Sequence, residues 1–312
     1  MERKGWLLCL TLLGFAITLA VAPTVRSATP LTVAYAGSMG AVMDKALGPA
    51  FDANHATTFR GIGQGSYGLA RLIAAGQLRA DVFIAITPGP VKVVQQAGLM
   101  GAAAPVASTQ MVIAYSPKSR FAKDFATATK AGTPWYKVLE RKGLRFGRTD
   151  PATDPQGRNI VLTMQLAQRY YKQPGLVEKI LGPIDNPRQI FSEPSLLSRL
   201  ESGQLDASSG YLSAVVSHHL SYITLPDEIN LSNPAMAGTW YRHAGFKLKK
   251  GDGKTETVKV QPLVFYAGVL KNAPHPKQAA QFVAFLQSAA GQKLLADYGY
   301  SKPKGEALQP VK

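Results

Sequence analysis

The stretch LTVAYAGSMGAVMD, from Leu31 to Asp44, constrains the fold more than any other part of the chain. Apolar residues alternate at Leu31, Val33 and Tyr35. The chain then turns through Ala36-Gly37-Ser38-Met39-Gly40, and an apolar helical pattern begins. A strand, a glycine turn and a helix start in that order open a βα unit. A second serine-bearing turn, Gly61-Ile62-Gly63-Gln64-Gly65-Ser66-Tyr67-Gly68, again opens a helix, Leu69 to Ala75. Helix starts carry unpaired N–H groups and a partial positive charge, so they hold a small anion without any charged side chain. Two of them near the beginning of a chain point to capture of an oxyanion.

The rest of the sequence keeps the same alternation. It predicts strands at Leu31–Tyr35, Thr57–Gly61, Asp81–Ala85, Gln110–Tyr115, Leu144–Gly147, Ala207–Tyr211 and Gln261–Leu270. Helices are predicted at Ala41–Ala53, Ser66–Ala75, Pro90–Ala97, Thr133–Glu140, Arg158–Tyr171, Ser195–Ser202, through His219, Pro276–Ser288 and Gly291–Tyr298. This grammar predicts an α/β chain with mixed, mostly parallel sheets covered on both faces. Residues 241–261 read as a basic hairpin turning at Gly251-Asp252-Gly253. Two lobes with two crossings are expected. The first is built from 28–108, the second from 109–235, and 236–312 return to the first lobe and include the hairpin. The ligand cleft would lie at the strand ends.

The ends and composition set the setting. Arg3 and Lys4 precede an apolar run from Trp6 to Ala22, and Val25 and Ser27 suit a cleavage after Ser27, so 1–27 read as an export leader. Cys9, the sole cysteine, falls inside that leader, which excludes disulfides and thiolate chemistry from the mature chain. The net charge is +16; loss of three basic and one acidic residue with the leader leaves +14 for 28–312. Such a charge favours anionic partners. Nucleic acid is not expected, because the basic residues are scattered and not interleaved with aromatics. His218 and His219 are adjacent and the other histidines isolated, so no metal-ligand spacing emerges.

Four blocks then carry a resemblance: AYAGSMG (Ala34–Gly40), GSYGLARLIAAGQLRADVFIA (Gly65–Ala85), FGRTDPATDPQG (Phe146–Gly157), and Leu200–Asn233 with LESGQLD and YITLPDEINLSNP. With the C-terminal AGVLKNAPHPKQAAQFVAFL and GQKLLADYGY, they cover nearly all of the mature chain. The chain resembles the substrate-binding proteins of molybdate/tungstate ABC importers, in particular the tungstate-binding branch. The resemblance implies a type II periplasmic binding protein whose two lobes are joined by a two-strand hinge. It also implies a periplasmic, monomeric receptor without cofactor or catalytic residues, delivering molybdate or tungstate to an inner-membrane ABC permease. Its site residues map onto Ser38 and Ser66, the amides of Met39 and Tyr67, Asp154 and Tyr211. Arg158 is added here as a planar donor at the helix start. In that branch an acidic residue precedes the tyrosine and, with the aspartate, ligates the metal; here Gly210 stands there. One carboxylate is therefore expected to be missing. A hydrogen-bonded tetrahedral anion is expected in place of a six-coordinate centre, with Asp154 as the possible contact to molybdenum or tungsten.

Each residue has a plainer reading. Ser38 and Ser66 would serve equally as helix N-caps, Asp150 and Asp154 as Asp-Pro turns, Tyr211 as a core aromatic and Arg158 as a solvated helix residue. The rival functions are a sulfate or phosphate receptor and, from another class, a hydrolase using Asp150 and Asp154 as acid and base. Against the hydrolase, Gly65-Ser66-Tyr67-Gly68 lacks the Gly-x-Ser-x-Gly spacing of a nucleophile elbow.

Overall fold

A computed structural model describes residues 28–130, 134–249 and 253–310. The leader and the Gly251-Asp252 part of the hairpin turn lie outside the described residues, as does the expected helix start at Thr133. The chain begins with β1 (Thr29–Ala36), β2 (Thr57–Gln64), β3 (Val82–Ile86) and β4 (Ala104–Ser108). It crosses to β5 (Met111–Tyr115), β6 (Phe146–Gly147), β7 (Ala207–Tyr211) and β8 (Ser221–Thr224). A hairpin of β9 (Gly245–Lys249) and β10 (Thr255–Lys259) follows, and β11 (Val264–Val269) returns. The five-stranded sheet has the order β2-β1-β3-β11-β4, and the four-stranded sheet β6-β7-β5-β8. Each sheet contains one reversed strand. It is the strand that has just arrived from the other lobe: β11 runs antiparallel to β3 and β4, and β5 antiparallel to β7 and β8. The mixed, mostly parallel α/β architecture is as expected.

Side-chain alternation sorts the core into two faces. Val33 and Tyr35 of β1 and Val82, Ile84 and Ile86 of β3 join Phe51 and Phe282 on one side of the first sheet. Ala34, Phe83 and Ala85 pack with Leu69, Ile73 and Val91 on the other. All five residues of β3 are buried, which is why it reads as a continuous apolar run.

Two local readings change. The expected turn at Gly61–Gly68 is strand as far as Gln64, with Val33 paired to Gly61 and Tyr35 to Gly63. The glycines make room for a ring: a Cβ on Gly61 or Gly63 would lie 2.7 Å from atoms of Tyr35, whose hydroxyl donates to Asp44 Oδ1 at 2.7 Å. The first helix is also not uniform. It passes from a 3₁₀ turn (Gly37–Met39) through Gly40–Val42 and a π segment (Met43–Leu47) into Gly48–His55. Pro49 lacks an N–H and crowds the carbonyl four residues earlier, and the wider π turn absorbs that misfit.

The crossings lie at 109–110 and 260–263, and Thr109 N donates to Leu263 O at 3.1 Å, so they run side by side as a hinge. The second crossing falls later than the expected boundary at 236. The hairpin stays with the second lobe because Gly245 exchanges hydrogen bonds with the Gln165 side chain of helix Pro155–Tyr170. Among the described residues no helix is long and apolar enough to cross a membrane.

Candidate functional site

Parallel strands send the helix starts that follow them to one edge of their sheet. Ser38 follows β1 and Ser66 follows β2, while Asp154 follows β6 and Tyr211 ends β7, which runs parallel to β6. The two edges face each other across the hinge. The lobes touch there: Gly68 N donates to Thr153 O at 3.1 Å, and Arg71 Nη2 to Ala152 O at 2.7 Å. A cleft of about 540 Å³ opens beside this contact, lined by Gly63–Gly65, Gly68, Thr149, Asp150, Thr153, Asp154 and Ile190–Pro194.

Ser38 and Ser66 are 4% and 1% exposed, and among the described residues neither hydroxyl has a hydrogen-bond partner. Neither caps its helix, since Ala36 and Gly65 hold the cap positions without side-chain bonds. A buried hydroxyl left unpaired costs about 1–3 kcal/mol. Two of them, each at a helix start that follows a neighbouring parallel strand, suit an incoming acceptor better than a structural role.

Asp154 caps helix Pro155–Tyr170 by accepting from Gln156 N at 2.8 Å. The helix begins three residues before the expected Arg158, because Asp-Pro is a ready-made cap and first turn. Burial, opposed by the Gln156 bond and assisted by Asp150, pushes the Asp154 carboxyl up to about 6. Asp150 itself closes a turn by accepting from Ala152 N at 2.8 Å. Tyr211 is buried, and its hydroxyl oxygen accepts from Asn159 Nδ2 at 3.0 Å, which leaves its own proton to donate. Burial and the Asp154 carboxyl hold that phenol well above its ordinary pKa, so it is a neutral donor.

Arg158 is engaged by protein groups beside the second serine turn. Its guanidinium sits 3.7 Å from the centre of the Tyr67 ring, Nε donates to Pro151 O at 2.8 Å, and Nη2 pairs with Glu256 Oε1 of β10 at 2.6 Å. It clasps helix Pro155–Tyr170, the start of helix Ser66–Ala74 and the hairpin together. The Tyr67 hydroxyl points at Gly89, where a Cβ would lie 1.9 Å from it. Met39 is fully buried at the end of the first turn.

The sequence reading missed Glu193, Gln156 and Asn159. Glu193, 3% exposed, opens helix Glu193–Ser202. It is delivered there by Arg148, whose backbone bonds to Gln189 and Phe191 and whose buried side chain donates to Gln189 Oε1 and Pro183 O. Glu193 Oε1 accepts from Gln156 Nε2 at 3.0 Å. Burial and then the neighbouring Asp154 raise its carboxyl well above the ordinary range. The expectation of a single carboxylate is thereby corrected: two acids are in the site. Position 210 could not supply the second, since a Cβ on Gly210 would lie 2.7 Å from Val215 Cγ2. Among the described residues no group of three or more His, Cys, Asp and Glu side chains is placed to hold a metal ion.

A two-lobed α/β chain with uncharged donors buried between its lobes has the architecture of a protein that holds a small solute in a cleft. The profile of the bacterial extracellular solute-binding protein family matches residues 31–301, and the chain belongs to that family. It is 34% identical over 211 residues to the molybdate/tungstate-binding protein WtpA of Pyrococcus abyssi, covering 61% of this chain and 59% of that one. It is 31% identical over 218 residues to an uncharacterized solute-binding protein of Staphylothermus marinus, covering 62% and 61%. The chain thus spans about three-fifths of the length of the curated relatives it matches. Among solved structures, the periplasmic molybdate-binding protein of Azotobacter vinelandii superposes with a TM-score of 0.60 at 15% identity, over 88% of this chain and all of that one. The sulfate-binding protein SubI of Mycobacterium tuberculosis gives 0.57 at 14%, over 88% and 87%. At such identities these two share the fold alone.

Proposed function

We propose that the chain is the periplasmic receptor of an ABC importer and that it captures molybdate or tungstate. The observation that carries this reading is the pair of buried hydroxyls of Ser38 and Ser66 at two helix starts, without a partner among the described residues, together with the buried donor Tyr211 at the end of β7. The similarity to WtpA of Pyrococcus abyssi supports the choice of anion. The hydroxyls, the Met39 and Tyr67 amides and Tyr211 replace the water shell of a tetrahedral dianion. Closure then excludes solvent, which strengthens every charge–dipole contact. Both lobes touch the ligand only when closed, so binding selects that state, and an inner-membrane permease reads the closed shape. The basic surface raises the local concentration of anions. Arg158 acts as an inter-lobe clasp in this scheme. No bond of the anion is broken, and Asp154 serves as cap and ligand neighbour without being a catalytic acid.

Titration of residues 28–312 with tungstate, molybdate, sulfate and phosphate tests the reading by calorimetry and by the fluorescence of Trp135 and Trp240. Saturable binding of tungstate or molybdate, tighter than of the other two anions, is expected. Tightest binding of sulfate or phosphate would move the chain to another oxyanion, and no binding of any of the four would end the reading.

A further inference from the structure

The hairpin of β9 and β10 is two-sided. Phe246, Leu248 and Val258 are buried in the core. The alternate residues share the outer face, with Lys249 opposite Thr255, Lys247 opposite Thr257, and Lys259 opposite Gly245. That face is exposed and carries three lysines and no acid, since Glu256 lies on the inner side and pairs with Arg158. More positive charge adjoins the base of the hairpin. A groove of about 360 Å³ joins Thr257 and Lys259 to Arg242 and His243. A second, of about 520 Å³, joins His243 and Gly245 to Arg169 and Lys172 at the end of helix Pro155–Tyr170. Among the described residues none of these lysines and arginines enters an ion pair. Asp227 and Glu228, on the neighbouring loop, act on the buried Tyr241, and Asp227 is bonded to Asn230 and Asn233. Beside the cations runs an uncharged loop, PAMAGTW from Pro234 to Trp240. Pro234, Ala235 and Ala237 are exposed in it, and Met236 and Trp240 are half-buried. Arg169 stands 6.0 Å from the centre of the Trp240 ring and the Tyr170 ring 5.7 Å from it. Tyr170, at 36%, is the exposed large hydrophobic side chain among the described residues. The fold thus gathers around an aromatic pair cations that are scattered along the sequence.

We propose that this face, the outer side of the hairpin together with the Pro234–Trp240 loop, docks the protein on a membrane surface of anionic phospholipids. Headgroup phosphates form an array of acceptors for the lysines and arginines, each of which raises binding about fivefold near such a surface. Tryptophan and tyrosine settle at headgroup depth, where the ring is in an apolar layer and its polar tip in water. An uncharged loop flanked by cations supplies both signals that hold a protein at an interface, charge and shallow apolar insertion. A nucleic acid would call instead for a row of open ring faces on which bases stack, whereas this indole is already engaged by Arg169 and Tyr170. For a receptor that delivers to a permease, as proposed above, docking confines the search for that partner to two dimensions.

The test mixes residues 28–312 with vesicles of phosphatidylglycerol and phosphatidylethanolamine, or of phosphatidylcholine alone, and reads binding by co-sedimentation and tryptophan emission. Trp135 is 5% exposed, so a blue shift on binding reports Trp240, and Trp240→Phe should abolish it. Binding to the phosphatidylglycerol vesicles is expected at low salt, with loss at about 0.5 M salt and none to phosphatidylcholine. Replacing Lys247, Lys249 and Lys259 together by glutamine should weaken vesicle binding by about 100-fold. The same change at Lys92, Lys271 and Lys277, which are exposed on the first lobe, should leave binding within about threefold of wild type. Absence of vesicle binding, equal losses in the two triple variants, binding without a Trp240 shift, or tighter binding of an oligonucleotide than of the vesicles overturns the inference. These are surface substitutions, and an unchanged melting temperature verifies that each variant is folded. Vesicle binding by a chain that takes up neither tungstate nor molybdate would leave the docking face standing and end the function reading alone.

Discussion

Replacing Ser38 or Ser66 by alanine should move two measurements in opposite directions. In the complex each hydroxyl donates to a charged acceptor, a bond worth about 1.5–3 kcal/mol. Each single substitution should therefore weaken molybdate or tungstate binding by about 10- to 150-fold. In the unliganded protein the same hydroxyls have no partner and are nearly free of solvent contact. Their removal relieves a desolvation cost and, at Ser66 in the first helical turn, slightly improves helix propensity. The apo variants should melt at the same temperature as wild type or higher, by a few degrees for each kcal/mol gained. Calorimetric titration and apo thermal melts on the same samples read both quantities. A serine that served as a cap would do the reverse, lowering apo stability by about 1 kcal/mol and leaving affinity alone. An unchanged dissociation constant, or apo destabilisation of that size, would refute the assignment of these hydroxyls to the ligand.

Three further outcomes are expected. Arg158→Leu removes the stack on Tyr67 and the pair with Glu256, so closure should lose about 1–2 kcal/mol and the unliganded protein should open; X-ray scattering that leaves the radius of gyration unchanged would exclude the clasp. Gly65→Ala places a Cβ 3.0 Å from Thr153 O and 3.2 Å from Asp154 Oδ2 across the cleft, so ligand affinity should fall while apo stability holds; equal affinity would show that the lobes do not close to this distance. Asp154→Asn keeps the helix cap and deletes a carboxyl raised from 3.8 to about 6. Because the folded state holds its proton more tightly than the unfolded chain, wild-type stability falls as pH rises through that window. Urea unfolding should therefore find the asparagine variant more stable by up to about 3 kcal/mol above pH 7 and equal to wild type below pH 4; a gap that widens on acidification would reverse the sign.

Features written in a short window were legible in the sequence. The alternation at Leu31–Tyr35 and the two serine turns gave the strands and the helix starts without any knowledge of what lies opposite. Asp154 and Tyr211 came from resemblance, because an Asp-Pro pair and a strand-ending tyrosine are too common to stand out. The glycines of β2 misled for a physical reason. They serve the Tyr35 ring from the neighbouring strand, and strand pairing is not visible in the residues of one strand.

The acids of the site show the same limit more sharply. Glu193 at the first position of a helix is what the helix dipole favours on any surface, so its type carries no sign of burial. Its placement arises from Arg148 holding the 183–191 segment, from Gln156 pointing back from another helix, and from Ser38 in the other lobe. Arg158 is the converse: a cation at an expected ligand position, whose charge is taken up by Glu256 from a hairpin far along the chain. Charge at this site is thus arranged between elements. Local pattern locates the serine turns at the helix starts, whereas the pairing of the buried acids depends on contacts between elements far apart in the sequence.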